Sequence, residues 1–415
     1  MWYREVTRTQ WNAFFATFLG WVLDGFDATI LTFLVVDIQH SFNVTKAAVG
    51  ALGTIMLLFR VIGGISAGTA ADRWGRKGPL MFSILWYSLF AFASGFSPTY
   101  GVLLMCRALF GIGMGGVWAA GMPLTLEHWP AHLRGIASGM LQGGYSTGFI
   151  LSSIVYQTVY PMFTDRPDFA WRVLLWLGIL PSFLVLWIMS YVKESPVWLE
   201  RQQHLSDKQQ VRGISLGRLF KPDLIRVTLQ TLLLMGGFIF SYHSITFWYP
   251  TLLQGRHLPT LVFMLMLNIG GVTGSIAAGR LSETWLGRRG AATLMMATGI
   301  AAVPLYLFTA STALMYCGAL SIGFFAAGAW GMVPSYLTER FPTEARAVGA
   351  GFAYHVGAGL GAFTPQLIGL MQDRGVQLPI AMAGCIATAG VLVIALIWMG
   401  PETRGRQFNA TDGVA

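Results

Sequence analysis

Two carboxylates, Asp24 and Asp27, stand three residues apart inside the apolar stretch GWVLDGFDATI (20–30), and two arginines, Arg60 and Arg107, lie inside later apolar stretches. A charged side chain at the centre of a hydrocarbon layer costs at least about 2.5–3.5 kcal/mol, so such residues mark ion pathways, substrate sites and proton relays. A buried ion pair adds little net stability over apolar packing of the same volume, which makes structural pairing a weak reason to keep all four. At i and i+3 the two acids project from nearly one helix face. Like charges held that close oppose each other's ionisation, which suits groups that take up and release a proton. A guanidinium meets a carboxylate bidentately, which makes Arg60 a candidate for binding an anionic group. Tyr242, His243 and His355 are further candidates for lining the same cavity. Tyr249, Trp118, Tyr145, Trp330 and Tyr354 are either cavity aromatics or lipid-facing anchors, and the sequence carries no register that separates the two.

The elements that hold these residues follow from composition. Of 415 residues 54% are hydrophobic and only 11% charged, against about 25% charged in soluble domains. Apolar runs long enough to cross a ~30 Å hydrocarbon core recur along the chain. They predict an all-α membrane protein with spans near 11–36, 46–70, 79–96, 100–126, 135–161, 171–191, 226–253, 258–280, 290–310, 312–338, 344–371 and 377–399. The first run is too long, and too acidic, for a cleavable leader. Cys106, Cys317 and Cys385 fall in separate spans, which suggests neither a disulfide framework nor a metal cluster, and no cofactor or metal is expected.

The net charge of +9 would also fit a nucleic-acid partner. Its distribution does not. With the N-terminus inside, the cytoplasmic ends and loops hold twenty of the 27 Lys and Arg residues. The outer loops hold Lys46, Arg166, Arg172, Arg256 and Arg374, and Arg60 and Arg107 remain within spans. Such asymmetry predicts a multi-pass inner (plasma) membrane protein with both termini in the cytoplasm, and it accounts for the basic balance without nucleic acid.

A charged, Gln-rich break at 192–225 divides the chain into a six-span half, 1–191, and a second one, 226–415. The halves repeat. GTAADRWGRK (68–77) matches GRLSETWLGRRG (279–290), and EHWPAHLRGIASG (127–139) matches ERFPTEARAVGAG (339–351). In the second pair Glu, Pro, Arg and Gly recur at one offset, Glu127 with Glu339 and Arg134 with Arg346 among them. A duplicated helical unit with its site at the repeat interface is transporter architecture. Two strings that could suggest an enzyme lack their context. The glycines of RALFGIGMGG (107–116) have no strand before them to make a dinucleotide site, and GYSTG (144–148) lies within a span, away from any nucleophile elbow. Both are expected to be helix-packing glycines.

The Gly-x-x-x-Asp-Arg-x-Gly-Arg-Lys pattern of 68–77 resembles the signature loop of the major facilitator superfamily. KESPVWL (193–199) and PETRG (401–405) are similar to motifs closing the two halves of its sugar and organic-acid branches. GWVLDGFD, FRVIGG, LEHWPAHLRGIASG and FPTEARAVGAGFAYHVGA resemble the sialate/lactate:proton symporter family, over essentially the whole chain. The resemblance implies twelve transmembrane helices in two six-helix bundles around one central cavity. It implies a cytoplasmic gate of Gly68, Asp72, Arg73, Gly75, Arg76 and Lys77, with Glu283 and Arg288 as a degenerate second copy and Glu127, Arg134, Glu339 and Arg346 beside them. Asp27 and Arg107 resemble the first-span acid and fourth-span arginine that couple protons in sugar:proton symporters.

The implied activity is import of a small carboxylate with protons by a functional monomer, lactate or pyruvate first. Val117 stands where sialate-type members carry Glu. YHSITFWYPT (242–251) resembles the lactate/pyruvate branch but has Thr246 and Phe247 in place of its Gln–Asp pair. Sialic or other sugar acids and aromatic acids therefore stay open. The fifth span lacks the Gly–Pro motif of efflux antiporters, and the short tails fit a carrier better than a nutrient sensor.

Overall fold

A computed structural model describes residues 2–44, 46–163, 165–207 and 216–408. Its described residues form helices and turns, arranged as twelve membrane-length helical spans. The first five are Arg8–Phe33, Lys46–Trp74, Lys77–Ser94, Tyr100–His128 and Arg134–Val159. The sixth joins Pro167–Trp176 to Ser182–Tyr191 through a tight turn at Leu177–Ile179. The seventh is Ile225–Thr246, continued by Tyr249–Gly255, and the eighth and ninth are Thr260–Leu281 and Gly287–Leu307. The tenth runs from Thr312–Ile322 through a wide turn at Gly323–Ala327 and a tight one at Gly328–Met332 into Val333–Arg340. The eleventh joins Arg346–Gly361 to Thr364–Asp373, and the twelfth is Leu378–Trp398.

Among the described residues, nine of these spans are long and apolar enough to cross a membrane on composition alone. The third, fifth and eleventh fall outside that group. The third opens on Lys77, Gly78 and Pro79, the fifth is rich in Gly and Ser, and the eleventh is interrupted at 362–363. The first span stops at Phe33 rather than near 36, and a short helix, Val35–Phe42, follows. The break between the halves carries a helix, Pro196–Asp207, and a tight turn, Leu216–Phe220. Lys208 and Arg212, two of the bases counted as cytoplasmic, lie outside the described residues.

Local signals set the helix starts. Thr7 Oγ1 accepts from Gln10 N while Gln10 Oε1 accepts from Thr7 N at 2.8 Å, a reciprocal cap that satisfies two N–H groups at once. Gln10 Nε2 also donates to His128 O at 2.8 Å, tying the start of the first span to the end of the fourth. Large apolar side chains face outward, Phe82 and Phe183 at 61% and 62% exposure. Lipid covers such a surface, so helix association must come from close packing of small residues. Gly113 and Gly116 do this in the fourth span. A Cβ on them would fall 2.6 Å from Tyr87 N and 2.0 Å from Ser83 Oγ, which accounts for the dinucleotide-like string. One buried apolar cluster runs through both halves, and two smaller ones lie each within a single half.

Candidate functional site

Trp21 and Asp24 share one face of the first span, a helical turn apart, and both are buried. The Arg60 guanidinium of the second span lies 5.1 Å from the Trp21 ring and 5.7 Å from the Tyr354 ring of the eleventh. Its Nη2 stands 3.9 Å from Asp24 Oδ2. Gly115 sets this position, because a Cβ there would meet Arg60 O at 2.2 Å; its absence lets the second span lie against the fourth. Around the guanidinium stand two groups of rings, drawn together from both halves. Trp21 lies 5.4 Å from Tyr145, Trp118 stacks on Tyr354 at 4.1 Å, and Trp330 lies 6.0 Å from Tyr354 and 6.2 Å from Tyr242. Tyr249 lies elsewhere, packed on Tyr306 at 4.1 Å.

Buried polar atoms are nearly always hydrogen-bonded. Here several are not. Nε1 of Trp21, Trp118 and Trp330, Nε and Nη2 of Arg60, both carboxylate oxygens of Asp24, Gln142 Oε1 and His355 Nδ1 are buried without a hydrogen-bond partner. Five donors, two of them on the Arg60 cation, thus stand beside a few acceptors, an arrangement suited to an anion with some polar substituents. The sequence reading passed over Trp21 and Gln142. Trp21 was detectable from its i, i+3 relation to Asp24; Gln142, a lone amide among glycines, left no comparable signal.

Asp27 points away from this centre. A Cβ on Gly178 of the sixth span would fall 3.2 Å from Asp27 Oδ1, which places the carboxylate inside the first half. Arg107 Nη2 donates to the main-chain oxygen of Asp27 at 3.1 Å, and its guanidinium lies 4.4 Å from the Phe110 ring. The two residues meet through the backbone, with Asp27 Oδ2 and Arg107 Nε and Nη1 unpartnered. Tyr87 of the third span, missed in the sequence, is buried within electrostatic reach of both acids.

The histidines differ. His355 is buried, with Nε2 3.0 Å from Gly115 O, so it bridges the eleventh and fourth spans across the halves. A Cβ on Gly64 would fall 1.9 Å from its ring. His243 is half-buried and bonds to the backbone of Gly361 within the second half.

At the face that carries the chain ends, the two halves build the same device. Arg76 Nε and Nη2 clasp the Glu127 carboxylate at 3.1 Å each, and Arg288 clasps Glu339 at 3.2 and 2.9 Å. Glu194 accepts from Arg76 N and Lys77 N at 2.8 and 3.0 Å, and Glu402 accepts from Arg288 N and Arg289 N at 2.9 and 3.0 Å. Burial alone would raise the Glu402 carboxyl, but backbone N–H donors from Arg289, Arg288, Arg404 and Thr403 outweigh it and hold the group below the ordinary glutamate range. Gly75 and Gly287 have φ of +101° and +65°, where a side chain is strained and would run into these same carboxylates.

Other contacts cross between the halves. Asp72 Oδ1 and Oδ2 accept from Ala347 N and Val348 N, at 3.1 and 2.8 Å, at the start of the eleventh span, where a carboxylate also complements the helix dipole. Glu283 accepts from Gly135 N at the start of the fifth span. Arg346 Nη1 donates to Glu127 Oε1 at 2.8 Å. Gly68 permits the close approach, since a Cβ there would lie 2.9 Å from Ala347 O. Two expected gate residues stay within their own half: Arg73 lies over the Trp74 ring, and Lys77 Nζ donates to Met189 O at 2.9 Å.

Two repeated helical halves, laced at one face and enclosing a polar centre, have the build of a membrane carrier. Sequence comparison agrees. The family described as Major Facilitator Superfamily matches residues 17–365, and the chain belongs to it. A probable 4-methylmuconolactone transporter of Cupriavidus pinatubonensis is 32% identical over 408 residues, covering 97% of this chain and 93% of that protein. The sialic acid transporter NanX of Escherichia coli is 29% identical over 370 residues, covering 88% of each. The structure of the proton:xylose symporter XylE bound to 6-bromo-6-deoxy-D-glucose superposes with a TM-score of 0.77 at 19% identity, covering 96% of this chain and 98% of that one. The protein is therefore a multi-pass membrane transporter and not an enzyme, and its relatives carry small organic acids.

Proposed function

We propose that the chain is a proton-coupled importer of a small planar carboxylate, with Arg60 as the anchor for the substrate's anionic group. The observation that carries this reading is the Arg60 guanidinium, buried between the rings of Trp21 and Tyr354 with Nε and Nη2 unbonded. Guanidinium donors match a carboxylate, and the aromatic lining of Trp21, Trp118, Tyr145, Trp330 and Tyr354 suits an unsaturated or aromatic body. Lactate and pyruvate offer little surface to such a lining. The aromatic-acid alternative therefore moves ahead of the monocarboxylates, with the sugar acids behind both. Protons supply the energy through the span-one acids, and the Asp27–Arg107 meeting ties proton movement to the alternation of the halves. The lysine- and arginine-rich face is cytoplasmic, the membrane is the inner one, and one chain forms the working unit.

The test is uptake of labelled lactate, sialate and benzoate by proteoliposomes under an imposed pH gradient. Benzoate should accumulate most, and Arg60→Lys should raise its Km at least about tenfold, the loss of one to two charge-assisted hydrogen bonds. Accumulation of lactate without benzoate, or an unchanged Km in Arg60→Lys, overturns the reading.

A further inference from the structure

The contact between Arg60 and Asp24 is unusual for a buried ion pair. At 3.9 Å it is longer than the roughly 2.7–2.9 Å of a charge-assisted hydrogen bond. Neither Asp24 oxygen has a hydrogen-bond partner, and Arg60 Nε and Nη2 have none. Asp24 therefore balances the charge of Arg60 while leaving its donors free for another anion. Once a substrate carboxylate takes those donors, two anions share one guanidinium. One negative charge is then left in a buried site, where an unpaired ion is very costly and the group neutralises instead.

Among the described residues, the surroundings of Asp24 offer no second cation for that charge. Within electrostatic reach are Asp27 on its own helix, Arg60 on the second span, Tyr87 on the third, Tyr145 on the fifth and Tyr354 on the eleventh. Arg60 is the sole base among these described residues. Asp27 is less suited to the exchange, since its carboxylate lies by Gly178 inside the first half and it meets Arg107 through the main chain.

We propose that Asp24 is the exchangeable counter-ion of Arg60: the incoming carboxylate takes the guanidinium donors, and Asp24 takes up one proton. This rests on Arg60 being the carboxylate anchor. The exchange balances. One anion and one proton enter together, one O–H bond forms on an Asp24 oxygen, the proton comes from the water that delivers the substrate, and the net charge of the centre is unchanged. Release runs the same steps backwards. Neither species gains by binding alone, because an anion without the proton leaves Asp24 unpaired and a proton without the anion leaves Arg60 unpaired.

The experiment uses the purified full chain in weakly buffered detergent solution with a pH-indicator dye, titrated with benzoate. Wild type should take up about one proton per bound benzoate, and its Kd should rise by up to about tenfold per pH unit, as linkage to one proton requires. Asp24→Asn should bind benzoate with no proton uptake and with Kd changing less than about twofold over the same range. Proton uptake or a pH slope retained in Asp24→Asn overturns the proposal. A second measurement needs no ligand. Arg60→Gln removes the cation, so its infrared spectrum at neutral pH should gain a protonated-carboxyl band that is absent from wild type and lost again in Arg60→Gln/Asp24→Asn. A spectrum without that gain also overturns the proposal. If the band behaves as expected but wild type does not bind benzoate, the counter-ion exchange stands and the aromatic-carboxylate reading falls.

Discussion

Arg346 of the second half donates to Glu127 of the first at 2.8 Å, whereas Arg134, its counterpart 212 residues earlier, donates instead to the main-chain oxygen of Arg406 at 2.6 Å. The repeat is otherwise close, since Arg134 Nε bonds Leu126 O and Arg346 Nε bonds Thr338 O in matching places. The asymmetry makes Glu127 the junction of the face where the halves are laced together. It holds the guanidinium of Arg76 from its own half and that of Arg346 from the other.

Replacing Glu127 should therefore open the seam as well as destabilise the chain. Glu127→Gln leaves the buried Arg346 guanidinium without its anion, a loss of about 3–5 kcal/mol for breaking a buried pair, while Arg76 keeps Asp72 at 3.0 Å. A reporter cysteine at Ser138, whose hydroxyl bonds Gly331 O across the halves, reads the seam directly. With the three native cysteines replaced by serine, Glu127→Gln should raise maleimide labelling of that reporter several-fold. An unchanged labelling rate with a lowered Tm would mean that Glu127 supports the fold without holding the halves together.

Asp72→Asn should act more gently. Asn keeps one acceptor, so one of the two N–H groups at Ala347 and Val348 loses its partner, and Arg76 loses the Asp72 anion at 3.0 Å but keeps Glu127. A hydrogen bond to a charged group contributes about 1.5–3 kcal/mol, which corresponds to roughly tenfold or more in the closed-to-open ratio. The same reporter should label faster without substrate. Labelling and transport both equal to wild type would reduce Asp72 to an anchor of its own helix.

The tail contributes through one ring. Phe408 lies 3.5 Å from the Arg134 guanidinium and 3.8 Å from that of Arg346, and Arg406 Nη1 donates to Glu339 O at 2.7 Å. Desolvated cation–π contacts are worth up to about 2 kcal/mol each. Phe408→Ala should thus loosen the closed inner face, with Phe408→Trp restoring it. A truncation after 405 that labels and transports like wild type would show the tail to be a passenger.

How much of this was legible beforehand differs by residue. The spans and the repeat were, because hydropathy and a fixed offset are properties of the string itself. So were Arg60, Arg107 and the two acids, since a charge in an apolar run stands out without any structure. What Asp24 and Asp27 face was not. Their i, i+3 spacing puts them on one helix face, yet Asp24 turns to Arg60 and Asp27 to the sixth span, a split set by the helices packed on either side. KESPVWL and PETRG marked Glu194 and Glu402, but the partners of these acids and of Phe408 were illegible for the same reason: each acts on residues more than a hundred positions away. Trp118 and Tyr249 were indistinguishable as aromatics, and only the register of the fourth and seventh spans sends one to the centre and the other to a cluster within the second half.

The last prediction separates the two acids of the first span. Asn at position 27 keeps the main-chain oxygen that Arg107 binds, so Asp27→Asn should fold and insert normally. It cannot carry a proton. Gradient-driven accumulation of benzoate should therefore fall to what the one proton at Asp24 supports, while benzoate binding and counterflow exchange persist, because Asn resembles a permanently protonated acid. Arg107→Ala should lower accumulation in the same way by removing the cation that meets Asp27. Both proteins should still take up a proton when benzoate binds, since that step belongs to Asp24. The measurement is paired: accumulation under a pH gradient and counterflow without one, in the same proteoliposomes. If Asp27→Asn concentrates benzoate as far as wild type does, Asp27 carries no proton, and Asp24 alone carries the coupling.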